Sequence, residues 1–256
     1  MLAGLVVGGC SRDEAQQAGT ADRAIASFSE AESAPKASPA DAARALLEAE
    51  QVGDHDASFL LLSPEARKTH ASAADWARRR QELPPITKFE IEGEDDERVT
   101  ALVEHQPGLD PFIGLSPARE RQTWTARRVK GGWLLDPEPQ IEMLLPPAAR
   151  AKDAAVAWAA ALQRCDETGA RRLQVVSTLF GLSDAPAGLC RSAGDIKAEA
   201  PAPLPPGPAS QELVAQYGTE VFDWATAVPI TAPVRPFHLV LAPIGDTWQV
   251  LGLFES

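Results

Sequence analysis

Apolar and polar positions along the chain follow two different periods, and each change of period marks a predicted element. After Pro39-Ala40-Asp41, apolar residues recur at Ala42, Ala45, Leu46, Ala49 and Val52, the spacing of one helix face, which predicts a helix over 40–52. A short helical stretch over 58–68 follows, then a third helix over 73–82 that carries Trp76. Pro84-Pro85 ends it, because proline lacks the N–H a helix needs and fixes φ. Beyond the prolines the period falls to two. Phe89 and Ile91, then Val99, Ala101 and Val103, alternate with polar residues, and strands are predicted at 87–92, 98–105, 121–129 and 132–136.

The pattern then starts again. A second helical face of Ala154, Ala157, Trp158, Ala161 and Leu162 begins at Lys152-Asp153. A shift of 112 positions, which carries Asp41 to Asp153, also carries Ala49 to Ala161, Gln51 to Gln163 and Asp54 to Asp166. Each half ends in a strand, a tight polar turn and a strand opening on tryptophan, at Trp133 and at Trp248. Two tandem domains are therefore expected, 39–147 and 148–256. The second carries a proline-rich segment at 198–208 and strands at 218–228, 236–243 and 247–254.

Ahead of the first domain lie two segments of other character. Residues 1–10 are apolar or small and end in Val7-Gly8-Gly9-Cys10, which resembles the lipobox of bacterial lipoproteins. The resemblance implies diacylation of the Cys10 thiol and anchorage on the extracytoplasmic face of the cell membrane, in the cell envelope. Each buried CH₂ of the lipid would contribute roughly 0.8 kcal/mol. The segment departs from the pattern in that its apolar run is short and no Lys or Arg precedes it. Residues 11–38 are rich in Ser, Ala, Glu, Asp and Gln and bury too little to offset their ordering entropy, so they read as a flexible tether. With Cys10 set aside, Cys165 and Cys190 remain as an even pair. A disulfide between them would close a loop of about 26 residues and stabilise the fold by about 3 kcal/mol. Two buried free thiols are the alternative reading.

Composition narrows the partners. The 256 residues carry a net charge of −12, so the surface repels nucleic acid and anionic head groups. The remaining partners are the membrane through the lipid, an envelope protein, or a small apolar ligand.

Helices followed by an antiparallel meander that closes on a Gly/Asp turn and Trp-x-Leu/Val resemble the nuclear-transport-factor-two-like (cystatin-like cone) superfamily. The likeness rests on 78–91, where a helix runs through Pro84-Pro85 into a strand, and on the 127–135 hairpin. It implies an α+β fold of two tandem cone-shaped domains, each with N-terminal helices packed on a curved antiparallel sheet around a pocket. Members of that superfamily include isomerases and dehydratases as well as modules without chemistry, so the fold alone does not assign an activity.

Candidate chemistry is sparse. Four histidines are present, and His55 and His70 lie in polar sequence expected to be exposed, while His105 ends a strand beside a turn. His238, in Phe237-His238-Leu239-Val240, is the one expected to face a pocket or the sheet. Tyr217 precedes Gly218 and reads as a loop residue. Trp133, Trp158 and Trp248 are expected in the core, with Trp76, Trp124 and Trp224 either in the core or at a pocket mouth beside His238. The acidic run 94–97 reads as a solvated turn, and Arg78-Arg79-Arg80 as a solvated helix surface offset by Asp75 and Glu82. No nucleophile motif, phosphate loop, calcium loop or zinc spacing is present, so no catalytic residue, metal or cofactor is expected. The resulting expectation is a lipid-anchored, non-enzymatic binding module. The alternative is an exported isomerase or hydrolase using His238.

Overall fold

Ser38 starts the first helix. Its hydroxyl accepts from the Asp41 N–H at 3.1 Å, and Pro39 sits where a helix needs no donor. In the computed structural model, which describes residues 34–110, 114–175 and 188–255, α1 (Pro39–Gln51) buries Ala42, Ala43, Leu46, Leu47 and Ala49. Val52, expected on that face, lies just past the helix and is 78% exposed. The stretch expected over 58–68 is two helices, α2 (His55–Leu60) and α3 (Pro64–Lys68). Pro64 cannot continue a helix, and Ser63 caps a new one by accepting from Ala66 N–H. α4 (Ala73–Gln81) completes the helical segment.

The strands that follow are β1 (Ile86–Glu94), β2 (Arg98–His105), β3 (Gly108–Asp110), β4 (Gly114–Ser116), β5 (Arg119–Val129), β6 (Gly132–Leu135) and β7 (Gln140–Met143). Four form a sheet in the order β1-β2-β5-β6, β7 pairs with the start of β5, and β3–β4 make a separate hairpin. The alternation is legible in the burial. Val99, Ala101 and Val103 point inward from β2, and Glu120, Gln122, Trp124 and Ala126 from β5.

The second half opens with α5 (Ala149–Gln163) and α6 (Glu167–Arg172). α5 starts three residues earlier than the sequence suggests, so Asp153 lies inside it and Ala157 is exposed, whereas Trp158 and Ala161 are buried as expected. The segment read only as proline-rich holds two short strands, β8 (Lys197–Ala198) and β9 (Ala202–Pro203). They are followed by α7 (Pro208–Tyr217), α8 (Val221–Trp224), β10 (Thr226–Thr231), β11 (Phe237–Ile244) and β12 (Thr247–Glu255). The strand expected over 218–228 is thereby corrected: α8 occupies 221–224, and the strand begins at Thr226. Tyr217 is corrected with it. The residue closes α7 and is buried, its ring edge-on to Trp224 at 5.8 Å, while Gly218 takes the φ of +77° that ends the helix.

The second sheet runs β12-β11-β10-β8 and is covered on both faces. Phe237, Leu239 and Leu241 of β11 pack on Ala151, Ala155 and Trp158 of α5. Val240 and Ala242, facing the other way, meet Leu213, Tyr217, Val221 and Trp224. Leu251 is an extra residue on β12 opposite Val240/Leu241, and this bulge moves the α5-facing positions from Trp248 and Val250 to Leu253.

Two features of local bonding recur in the two halves. Asp54 caps α2 by accepting from Ala57 N–H at 3.0 Å, and Asp166 caps α6 by accepting from Gly169 N–H at 2.8 Å. Past the short helix, Leu135 N–H donates to Leu61 O and Ser63 N–H to Leu135 O. In the second half Val250 N–H donates to Leu173 O and Val175 N–H to Val250 O. The compact units divide differently from the predicted boundary between 147 and 148. One holds the described residues up to Arg80 with Glu94–Val99 and Trp124–Pro139, and the other holds Gln81–Gly93, Thr100–Thr123 and the chain from Gln140 onward. The physical reason is apolar: Leu109 and Leu115 of the β3–β4 hairpin, with Met143 and Leu145, pack against the Tyr217–Trp224 core. The architecture is α+β, with helices faced by antiparallel strands.

Candidate functional site

Three polar clusters stand out among the described residues. The first is an open cleft of about 500 Å³ lined by Ser63, Glu65, Thr69, Arg127, Asp136 and Pro137. Asp136, just after β6, accepts from Arg127 through Nε at 3.1 Å and Nη2 at 3.0 Å, and from the Ser63 hydroxyl at 3.3 Å. The hydrogen bond to Asp136, and then its charge, hold the Arg127 proton more tightly than usual. The cleft thus combines an ion pair and hydroxyls with the apolar surface of Ala66 and Pro137.

The second cluster lies on the inward face of β2 and β5. His105 continues the buried parity of Val99, Ala101 and Val103, and Glu120 and Gln122 occupy the same parity as Trp124 and Ala126. His105 Nε2 is 3.1 Å from Glu120 Oε1, its Nδ1 is 3.2 Å from the Pro84 carbonyl oxygen, and Gln122 Nε2 donates to Glu120. The His105 and Glu120 side chains are only 9% and 10% exposed. Both imidazole nitrogens face acceptors, so the pair needs a proton on each ring nitrogen or one on the carboxyl. The period-two pattern could have found this cluster, since His105 and Glu120 stand in register with the apolar positions.

The third cluster joins α1 to α4. Glu50, 8% exposed, accepts from Arg80 Nε at 2.7 Å, and the Arg80 guanidinium also lies 5.3 Å from the centre of the Trp76 ring. His55 approaches the same carboxylate at 3.6 Å. The arginine run is therefore divided: Arg78 and Arg79 pair with Asp75 on the surface as expected, whereas Arg80 turns inward.

His55 and His70 are half-buried, which corrects their expected exposure. His70 has both ring nitrogens buried without hydrogen-bond partners among the described residues, and its ring meets Trp76 edge-on at 4.9 Å. Burial first, then Arg79, pushes its pKa below the ordinary 6.5, against smaller raising effects of Asp75 and Glu138. The folded state therefore favours the neutral ring. Its contribution to stability is complete above about pH 6.5 and is lost as pH falls below that value, where the unfolded chain binds the proton more readily. In denaturant midpoints taken at about pH 7.5 and 5.5, wild type is expected to lose more stability on acidification than His70→Phe. Equal losses in the two proteins would remove His70 as the cause.

The residues expected at a pocket are distributed otherwise. His238 is half-buried on β11, opposite Pro229 and Phe254, with its ring stacked on Phe254 at 4.8 Å. Trp76, Trp124 and Trp224 are 3%, 1% and 3% exposed, and none of them, nor His238, lines the cleft at Ser63. Trp76 Nε1 donates to the Ser58 hydroxyl at 2.8 Å. Trp133, expected in the core, is half-buried beneath Arg128, whereas Trp158 and Trp248 are core residues. The acidic run 94–97 forms an exposed turn in which Asp95 accepts from Arg98 N–H.

Cys165 and Cys190 form a disulfide, with Cα atoms 4.8 Å apart. Cys165 follows Arg164, the cap of α5, with φ of +60°, so the bond ties the end of that helix to the loop at 190. Disulfides persist in oxidising compartments, outside the cytoplasm in most bacteria. Cys10 lies outside the described residues, as does most of the tether at 11–38. Among the described residues no helix is long and apolar enough to cross a membrane, and no cluster of His, Cys, Asp or Glu could hold a metal ion.

The elements and their pairing define an α+β protein of helices packed on antiparallel sheets, carrying one disulfide. No family model and no curated protein matches the sequence. Among solved structures the chain is similar to an "Ntf2 like protein involved in plasmid conjugation", at 10% identity over 81% of this chain and 93% of that one, with a TM-score of 0.25. A likeness of that size carries no argument about fold or function.

Proposed function

We propose that the chain is a lipid-anchored protein of the bacterial cell envelope whose two halves are copies of one ancestral unit serving as a non-enzymatic interaction module. The Cys165–Cys190 disulfide carries the reading, because it belongs to an oxidising compartment. Val7-Gly8-Gly9-Cys10 supplies the matching anchor, and 11–38 the spacer between membrane and fold. The duplication is supported by the paired caps at Asp54 and Asp166 and by the matching strand bonds at Leu135 and Val250. The partner is a protein or a small apolar ligand, and the cleft at Ser63 offers contacts to either, with the Arg127–Asp136 ion pair beside the apolar surface of Ala66 and Pro137.

Metabolic labelling with a radiolabelled fatty acid tests the anchor. Label is expected on the wild-type protein in the membrane fraction and absent from Cys10→Ala. Unlabelled wild-type protein recovered from the cytosol would overturn both the anchor and the compartment.

A further inference from the structure

β1 is the outer strand of its sheet, and among the described residues no strand lies on its far side. Outer strands are usually blunted, because their unpaired N–H and C=O groups recruit other chains. In the second sheet one outer strand, β8, has only two residues in a segment crowded with prolines, and the other, β12, is bridged by Gln174 at Val250. β1 has neither protection among the described residues. β1 is nine residues long, its Phe89 and Ile91 are only half-buried, and Lys88 and Glu90 are exposed.

We propose that β1 pairs antiparallel with β1 of a second copy of this chain, on a two-fold axis through Phe89, making one continuous sheet. The sequence Ile86-Thr87-Lys88-Phe89-Glu90-Ile91-Glu92 is self-complementary in that register. Lys88 of each copy stands opposite Glu90 of the other, on the same face, giving two cross-strand ion pairs. Phe89 meets its own copy on the axis, and Thr87 meets Ile91 on either side. The neighbouring register, centred on Glu90, sets two like charges face to face and calls on Glu92, which already accepts from Arg121 at 2.9 Å. Glu90 has no ion pair among the described residues, and Lys88 only an exposed one with Glu104 at 3.5 Å, so both can turn to a partner. Pro85 ends the ladder cleanly, since it has no N–H to offer. The pairing is independent of the lipid and of any ligand.

Charge reversal tests the register. Full-length chain carrying Cys10→Ala, to keep it free of lipid, would be examined by sedimentation equilibrium over a range of concentrations. A reversible dimer is expected. Lys88→Glu and Glu90→Lys should each weaken it on the order of tenfold or more. The equimolar mixture of the two variants should dimerise again, as should the Lys88→Glu/Glu90→Lys double variant, because each restores opposite charges in every pair. Recovery in the mixture also shows that both single variants are folded. A monomer at all concentrations, or a dimer indifferent to both reversals, overturns the proposal.

Discussion

Glu120→Ala is expected to destabilise the chain by about 2 kcal/mol, the loss typical of leaving enclosed hydrogen-bonding groups without their partner. The magnitude follows from what stays behind. His105 Nδ1 remains 3.2 Å from the Pro84 carbonyl oxygen, while Nε2 loses the carboxylate at 3.1 Å and Gln122 loses its acceptor. Glu120→Gln separates charge from hydrogen bonding. The amide can donate to an unprotonated Nε2 while Nδ1–H donates to Pro84, so a neutral His105 keeps both of its bonds. That variant is expected to lose about 1 kcal/mol. Urea unfolding of the two, with His105→Ala and the double alanine variant to close a cycle, measures the coupling. Equal losses for Ala and Gln would show that the amide cannot replace the carboxylate and that His105 requires its charge. The pair sits where β2 leads into the β3–β4 hairpin and β5 leads out of it, with His105 N–H donating to Ala118 O at 3.0 Å. Loosening it should therefore raise amide exchange over 114–118 before the rest of the sheet.

Trp158→Ala should have the largest effect of any single change, about 4 kcal/mol. The side chain is fully buried at the centre of the α5 face, against Phe237, Leu239 and Val250. Truncation loses the transfer energy of the indole and leaves a cavity that a helix flanked by alanines cannot fill. Trp158→Phe is a separate test. The indole Nε1 is buried and has no hydrogen-bond partner among the described residues, unlike Trp248, whose Nε1 donates to Pro147 O at 3.1 Å. Phenylalanine removes that unsatisfied donor while keeping much of the ring, so a loss under about 1 kcal/mol is expected. Thermal unfolding of both variants decides the matter: a Phe variant as damaged as the Ala variant would mean that shape, and not the buried donor, dominates.

Elements whose periodicity agrees with their burial were readable before any fold was known. α1, α4, β2 and β5 fall within a few residues of their expected places because their apolar positions keep the period of one buried face, and the two tryptophan hairpins because their turns are marked by glycine. The reading failed at 208–228, where Leu213, Tyr217, Val221 and Trp224 follow a helical spacing that spans a glycine and two short helices. Taken locally, the aromatic and β-branched residues of 217–228 favour a strand. Packing decided otherwise, since those side chains cover the far face of β10–β12, and a sheet buried on both faces needs a helical layer there.

The polar clusters divide the same way. That Arg78 and Arg79 pair with Asp75 follows from helical spacing alone, as does the capping of α2 and α6 by aspartates 112 positions apart. That Arg80 reaches Glu50 across 30 positions, and that His105 and Glu120 share a hydrogen bond, depends on how α1 meets α4 and β2 meets β5. The sequence by itself determined the periods, the breaks at proline and glycine, the short-range caps and the acidic surface, because each of these is a property of neighbours along the chain. Only the tertiary structure decided which strand lies open at the sheet's edge, which histidines are enclosed and whether Cys165 and Cys190 meet, because those depend on long-range approach and on the water that packing excludes.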